Sequence, residues 1–226
     1  MQISRERMNR AAVAVHDHAT RQLGAERTPA ACATACASLA RELDDAFVAA
    51  RREGVPLACA PGCTFCCHLR VSVFEHEAVA LLHHVRTRLA PVDSGAVEAR
   101  IVANATRIDG MTVTEHYAAR MPCALLVDGR CCAYEARPSA CAAHHSLSRA
   151  RCEHAFQHPQ HHGTQQNSRP ASLELQTLGD ALIAATQSAL EANGTSGTRR
   201  ELHQSLRDLL AAEMPTITRG DSLCST

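Results

Sequence analysis

The sequence predicts a mainly α fold, a single helical domain with a cysteine-rich loop and a short β-hairpin at its centre. Three observations carry the prediction. Apolar residues recur at helical spacing near the start of the chain, as Met8, Ala12, Val15, Ala19 and Leu23 do, which is the period of one buried helix face. Helix punctuation falls where the next stripe starts and stops, with Thr28-Pro29 before it and Gly54 after it. Nine of the twelve cysteines lie between residues 59 and 152, so thiols concentrate between helical segments 1–54 and 171–214.

The elements follow in order. After the first helix, Thr28 caps a second, on which Cys32, Cys36, Leu39, Leu43 and Phe47 share one stripe. Two cysteines four apart could clamp a soft metal. Cysteine also packs as a small hydrophobe, and on this stripe we read both as core. Ser72-Val-Phe-Glu75 has the form of a capping box and opens a helix through Leu89, ended before Pro91. Val97, Ile101 and Ala105 predict a helix from Asp93 to Ile108. In CALLVDGRCCAY, Cys123 to Tyr134, two short apolar runs flank Asp128-Gly129, a strong local signal for a tight hairpin. Residues 146–170 are polar, carry His154, His158, His161 and His162, and read as a loop. Helices follow at 172–192, stopped by Asn193-Gly194, and at 199–213, opened by a second capping box from Thr198 to Glu201. No internal repeat and no long linker divides the chain, so residues 1–226 read as one domain.

Composition excludes several functions. Formal net charge is zero and all 23 basic residues are arginine, which leaves no electrostatic footprint for a nucleic-acid partner. Aromatics are only Phe47, Phe65, Phe74, Phe156, Tyr117 and Tyr134, too few for a base-stacking platform. The N-terminus MQISRERMNR leads into no apolar signal region, and no apolar run has the length of a membrane span. The expectation is a cytoplasmic protein with no membrane partner. Disulfides are rare in that compartment, so clustered cysteines there read first as metal-binding or catalytic.

The thiol cluster opens with CAPGCTFCC, Cys59 to Cys67. Cys63-x2-Cys66 presents two sulfurs through a turn, and Pro61-Gly62 provides a second turn that brings Cys59 alongside. A tetrahedral zinc site or an iron–sulfur cluster each takes four such ligands. A second group, Cys123, Cys131, Cys132 and Cys141, follows later in the chain. A redox role for Cys66-Cys67 would need a strained ring between adjacent residues, and a Cys-His nucleophile remains open because its partners would be near only in space. None of the 11 glycines forms a Gly-x-Gly cofactor loop.

Cys59-x3-Cys63-x2-Cys66-Cys67, followed by Glu77, resembles the opening of the CxxCxxCC zinc- or iron-chelating domain of YkgJ-type cysteine-cluster proteins. PCALLVDGRCCAYEARPSAC, Pro122 to Cys141, is similar to that family's second half, where Pro-Cys leads through a hairpin to Cys-x-x-Tyr-Glu-x-Arg-Pro and a final cysteine. The resemblance covers residues 59–145, with one departure: three residues, not two, separate Cys59 from Cys63. It implies a metal site lined by Cys59, Cys63, Cys66, Cys67, Cys123, Cys131 and Cys141, holding zinc or iron. Similar motifs are associated with iron–sulfur clusters in flagellin lysine methylases. The expectation is therefore a metal-binding protein, with an enzyme that uses an iron–sulfur cluster for methyl transfer or redox chemistry as the alternative. A third reading, soft-metal storage, would also use Cys32 and Cys36.

Seven thiols exceed the four of one site, so some would serve a second ion or support the first from outside. With Asp128-Gly129 as the turn, Leu125 lies opposite Cys132 and Leu126 opposite Cys131. Strand alternation then puts Cys123 on the face of Cys132, whereas the resemblance selects Cys131 and leaves Cys132 spare. Glu77 is expected to pair with an arginine such as Arg137 and tie the two halves together, with Tyr134 as packing and Arg137-Pro138 as a corner. His68, His144 and His145 follow the thiols closely, His144 being the foremost candidate, while the histidines of 154–162 read as solvated surface.

Overall fold

The computed structural model describes residues 3–24, 27–161, 164 and 169–212. It is mainly helical, with two small two-stranded sheets among the described residues. Helix α1 (Arg5–Gln22) starts where Ser4 accepts from Arg7 N, and α2 (Pro29–Arg52) where Thr28 accepts from Ala31 N, with proline in the first turn. Gly54, at φ 82°, ends α2 in the left-handed conformation that a side chain would strain. Cys32 and Cys36 are core residues, 0% and 8% exposed.

Helix α3 (Glu75–Arg88) is the centre of the molecule. His76 through Leu82 and Val85 are all buried, the mark of a helix covered on every side. It packs against α2, against α4 (Pro91–Ile108) and against α9 (Leu202–Ala211). The contacting stripe of α4 is Ser94, Val97, Ile101, Ala105 and Ile108, spaced three and four apart. Helices α5 (Val113–Ala118), α6 (Ser139–Ala142) and α7 (Arg149–Gln157) are short, and α8 (Leu173–Ala192) lies along α1. One buried cluster gathers around Phe74, Leu81 and Leu82; a second joins Val15, Leu39, Leu43, Leu175 and Leu182. No helix among the described residues is long and apolar enough to cross a membrane.

Strand β1 (Ser72–Val73) pairs with β4 (Arg200–Glu201), Ser72 opposite Glu201. Strands β2 (Leu126–Val127) and β3 (Arg130–Cys131) form the expected hairpin, Leu126 opposite Cys131 and Val127 opposite Arg130. Asp128 and Gly129, at φ 48° and 72°, make the turn, and two positive φ values match the twist of the strands they join.

Three expectations need correction. The capping box at Ser72 does not form, because Ser72 is paired in β1; α3 starts three residues later, with Phe74 N donating to Glu77 Oε2 at 2.9 Å. Thr198 likewise does not cap α9, which starts after Glu201 has accepted from Gln204 N at 3.0 Å. The N-caps slip by two residues in α3, from Ser72 to Phe74, and by three in α9, from Thr198 to Glu201, because strand pairing holds the backbone extended ahead of each. The stretch 146–170 is not all loop: Ser148 caps α7 by accepting from Arg151 N. That helix buries no residue fully, so it has no apolar stripe to reveal it. His162 and Glu213 lie outside the described residues.

Candidate metal centre

The first thiol segment leaves α2 and turns twice. Arg51 donates to Leu57 O at 2.9 Å and also to Cys59 O, while Ala58 N donates to Ser146 O at 2.8 Å. The turn through Pro61-Gly62 is closed by Cys63 N on Ala60 O at 3.0 Å, and Gly62 takes φ 84° there, as the third position of a type II turn requires. A 3-10 turn, Phe65–His68, then carries Cys66 and Cys67. Its backbone closes through Cys67 N on Thr64 O and Leu69 N on Cys66 O.

The second segment is fastened to the first directly, because Cys123 N donates to Cys67 O at 2.8 Å. Its neighbours are held by side chains from two helices. Asn104 Nδ2 donates to Pro122 O at 2.9 Å, and Arg100 donates to Ala124 O from Nε at 3.1 Å and Nη2 at 2.9 Å. Ala124 N donates to His203 Nε2 at 3.1 Å, and His203 Nδ1 lies 3.0 Å from Glu201 Oε1. A backbone N–H can only donate, so Nε2 is the unprotonated nitrogen and the Nδ1 proton faces Glu201. Glu201 and His203 are each 4% exposed. Replacing His203 by alanine is expected to strand the Ala124 N–H, at a cost of about 1–3 kcal/mol. A fall of that size in the urea denaturation free energy would confirm the anchor; an unchanged midpoint would refute it.

Cys141, on α6, is positioned by Glu77. Ser139 N donates to Glu77 Oε1 at 2.7 Å while Phe74 N occupies Oε2. Glu77 thus ties the two halves together as expected, but through a backbone N–H and not through Arg137. Arg137 pairs instead with Asp44 and lies 4.2 Å over the Tyr134 ring. Burial pushes the Glu77 carboxyl up, opposed by the Ser139 and Phe74 donors.

The thiols divide by neighbourhood. Burial, then the thiols of Cys123, Cys66 and Cys131, push Cys141 well up. Its hydrogen bond with Cys67, then burial, does the same to Cys66. Burial pushes Cys123 up to about 12, against a backbone donor at Leu125 and with a further push from Cys131. Cys131 is raised by burial and then by Cys132, with Cys66 also near. Cys59, raised by burial, has Cys66, Cys63 and Cys152 as thiol neighbours. The hairpin register is the expected one, yet Cys123 lies outside the strands: Leu126 N closes a turn on Cys123 O at 3.0 Å. That turn breaks the alternation that had grouped Cys123 with Cys132. Burial pushes the Cys132 thiol up, opposed by the Arg100 guanidinium.

The histidines are placed differently. His145 is 2% exposed, Nδ1 against Ala143 O at 3.1 Å and Nε2 accepting from Ser172 N at 3.0 Å, a buried ring whose two nitrogens hold backbone. His68 Nδ1 meets Thr64 O at 3.0 Å. Burial, then Arg169, lowers His144 to about 4. Sequence reasoning missed Arg100, Asn104, Glu201 and His203, whose ties to the cysteine segment span up to 79 residues and leave no local pattern.

The donor set suits a thiophilic metal: all the thiols of both segments are free and partly exposed, and they come from chain segments fastened to each other. Among the described residues, however, no three His, Cys, Asp or Glu side chains are drawn close enough to hold an ion. Each resolved thiol shift is upward, so these are protonated thiols at neutral pH. Ligation would require them to lose protons and close on the ion. Compared with known proteins, no family model matches the chain, and no curated protein or solved structure matches it significantly.

Proposed function

We propose that the protein chelates zinc or iron, the iron alone or as an iron–sulfur cluster, through Cys59, Cys63, Cys66, Cys67, Cys123, Cys131 and Cys141. The observation that supports this most is the bond from Cys123 N to Cys67 O, which fastens the two thiol segments to each other and leaves Cys66, Cys123 and Cys131 within electrostatic reach of Cys141. Residues far apart in sequence are fastened there by side chains of α4 and α9. The likeness of both segments to YkgJ-type proteins supports the same reading. A bound metal would supply charge and four strong bonds; the chain supplies orientation, through Glu77 at the Cys141 side and His203, Arg100 and Asn104 at the Cys123 side. On this reading the partner is a metal ion and not nucleic acid, in the cytoplasm, where such thiols stay reduced.

Anaerobic purification followed by an absorption spectrum and analysis for iron, zinc and sulfide tests the proposal. Iron matched by sulfide would make it a cluster protein, and zinc in a colourless protein a closed structural site. Metal-free protein with reactive thiols would overturn both.

The proton balance gives a second test. Thiols raised by burial and by one another hold their protons at neutral pH, so each ligand formed releases one. Affinity must therefore rise with pH, and for four thiolates the slope of log K approaches about four per pH unit below the thiol range. Competition titrations with a chelator across pH ~6 to ~8 measure it; a flat profile would exclude thiolate ligation.

A further inference from the structure

Helix α7 and the 3-10 turn after it, Pro159–His161, are built as a cover on the molecule and not as part of its frame. Neither buries a residue fully. Helix α7 packs on the Phe65–His68 turn that carries Cys66 and Cys67, and Pro159–His161 packs on α5. One ring joins the two places. Phe156 lies 5.8 Å from the Phe65 ring and 4.9 Å from His68, and Arg120, just past α5, sets its guanidinium 5.5 Å over the same ring. Arg149 adds a contact at the front of α7, 5.5 Å over Phe65. The segment therefore reaches both thiol stretches: Phe65 and His68 bracket Cys66 and Cys67, and Arg120 stands three residues before Cys123.

The two ends are held differently. At the front, Ser146 O accepts from Ala58 N at 2.8 Å. The Ser146 hydroxyl donates to Ser148 O and accepts from Ser148 N, each at 3.1 Å. Farther along, Arg120 Nη1 donates to Phe156 O at 3.4 Å, in an exposed position, which is long for an N–H···O bond. Arg120 also holds φ 45°, a left-handed backbone that strains a residue with a Cβ. A strained residue and a long bond make a weak clasp.

We propose that residues 148–161 form a strap that hinges at Ser146–Ser148 and swings off the Phe65–His68 turn while the helical frame stays folded, so that it gates access to Cys66 and Cys67. The inference does not rest on the metal-chelating reading; it states how any ion or reagent in solution reaches these sulfurs. The physical ground is burial. The frame helices α2, α3, α8 and α9 hold Leu43, Leu82, Leu182 and Leu206 at 0% exposure, and such contacts part only in global unfolding. Lifting the strap parts the Phe65, His68 and Phe156 rings and little else of the core. Opening thus costs less than unfolding and exposes less surface.

Iodoacetamide labelling of the reduced full chain, with chelator present and each cysteine read by mass spectrometry, tests the strap. Cys32, 0% exposed in α2, reports global unfolding. The Cys66 and Cys67 rates are expected to stay nearly level in low urea, while the Cys32 rate climbs steeply with the surface its exposure requires. Phe156→Ala should raise the Cys66 and Cys67 rates about tenfold or more, from the loss of two ring contacts and their burial, and leave the Cys32 rate as it was. Phe156→Leu, apolar but without a ring, should fall between. Hydrogen exchange of the α7 amides, which a change in thiol reactivity does not move, should quicken in Phe156→Ala while the α3 amides hold their protection. Equal urea dependence at Cys66 and Cys32 would overturn the inference, since only unfolding would then expose the turn. So would a wild-type Cys66 that labels as fast as an unfolded chain, because nothing would then cover it. A Phe156→Ala variant that matches the wild type, or one whose Cys32 rate climbs as far as its Cys66 rate, would also sink it. Each of these results would leave the metal-chelating reading standing.

Discussion

Glu77→Ala is expected to destabilise the fold by about 2–6 kcal/mol, from two buried N–H groups left without acceptors at about 1–3 kcal/mol each. The carboxylate is 2% exposed and makes one bond at each end, to Phe74 N at 2.9 Å and Ser139 N at 2.7 Å. One end starts the central helix α3 and the other positions the turn that carries Cys141. For a chain whose total stability is of order 10 kcal/mol, that loss is large enough to lower the denaturation midpoint visibly. Glu77→Gln separates charge from geometry. Its amide keeps one acceptor and turns an NH2 toward the other N–H, so it should fall between alanine and the wild type. Urea denaturation of the three proteins decides the matter; an alanine variant with the wild-type midpoint would show that water replaces the carboxylate at no cost.

Cys141→Ala is expected to remove roughly a quarter of the metal-binding free energy. Structural zinc in thiolate sites is held by about 10–16 kcal/mol, so the loss corresponds to about 10²–10³-fold in affinity at 1.4 kcal/mol per tenfold. The choice of residue follows from its place: Cys123, Cys66 and Cys131 all bear on Cys141. Cys132→Ala is the matched control, since Arg100 is the charge that bears most on that thiol. Chelator competition compares the two. Equal affinities would assign Cys132 and Cys141 the same standing and break the grouping on which the site rests.

Much of the helical frame was legible because the residues that make it act locally. Thr28 and Pro29 start α2, Gly54 ends it, and Ser94 to Ile108 of α4 repeat at the helical period. The hairpin was legible to the residue because Asp128-Gly129 permits few registers. What failed was whatever depended on distant partners. Ser72 and Thr198 look like caps, yet β1 and β4 pair across the chain and move both helix starts. The polar helix α7 shows no apolar stripe because its packing is confined to Phe156, Arg149 and their neighbours at one turn. At the site, the two cysteine-bearing segments could be read, but the side chains that hold them could not. Arg100, Asn104 and His203 act on backbone groups of 122–124, and any residue there would present the same C=O and N–H.

The two-residue ladder between β1 and β4 also sets an order in time. Val71 O accepts from Leu202 N at 2.9 Å, and Ser72 pairs with Glu201, so the strand that follows Cys67 finds its partner only when residues 200–202 exist. Synthesis runs from the N-terminus at about 5–20 residues per second, which separates the two by on the order of ten seconds. During that interval Cys59, Cys63, Cys66 and Cys67 emerge on a nascent chain that lacks α9 and the His203 anchor. The ribosome-bound chain therefore passes through a stage in which its first thiol-rich stretch is complete and its scaffold is not. A reducing surrounding, or early capture of an ion, matters most to this protein before its translation ends.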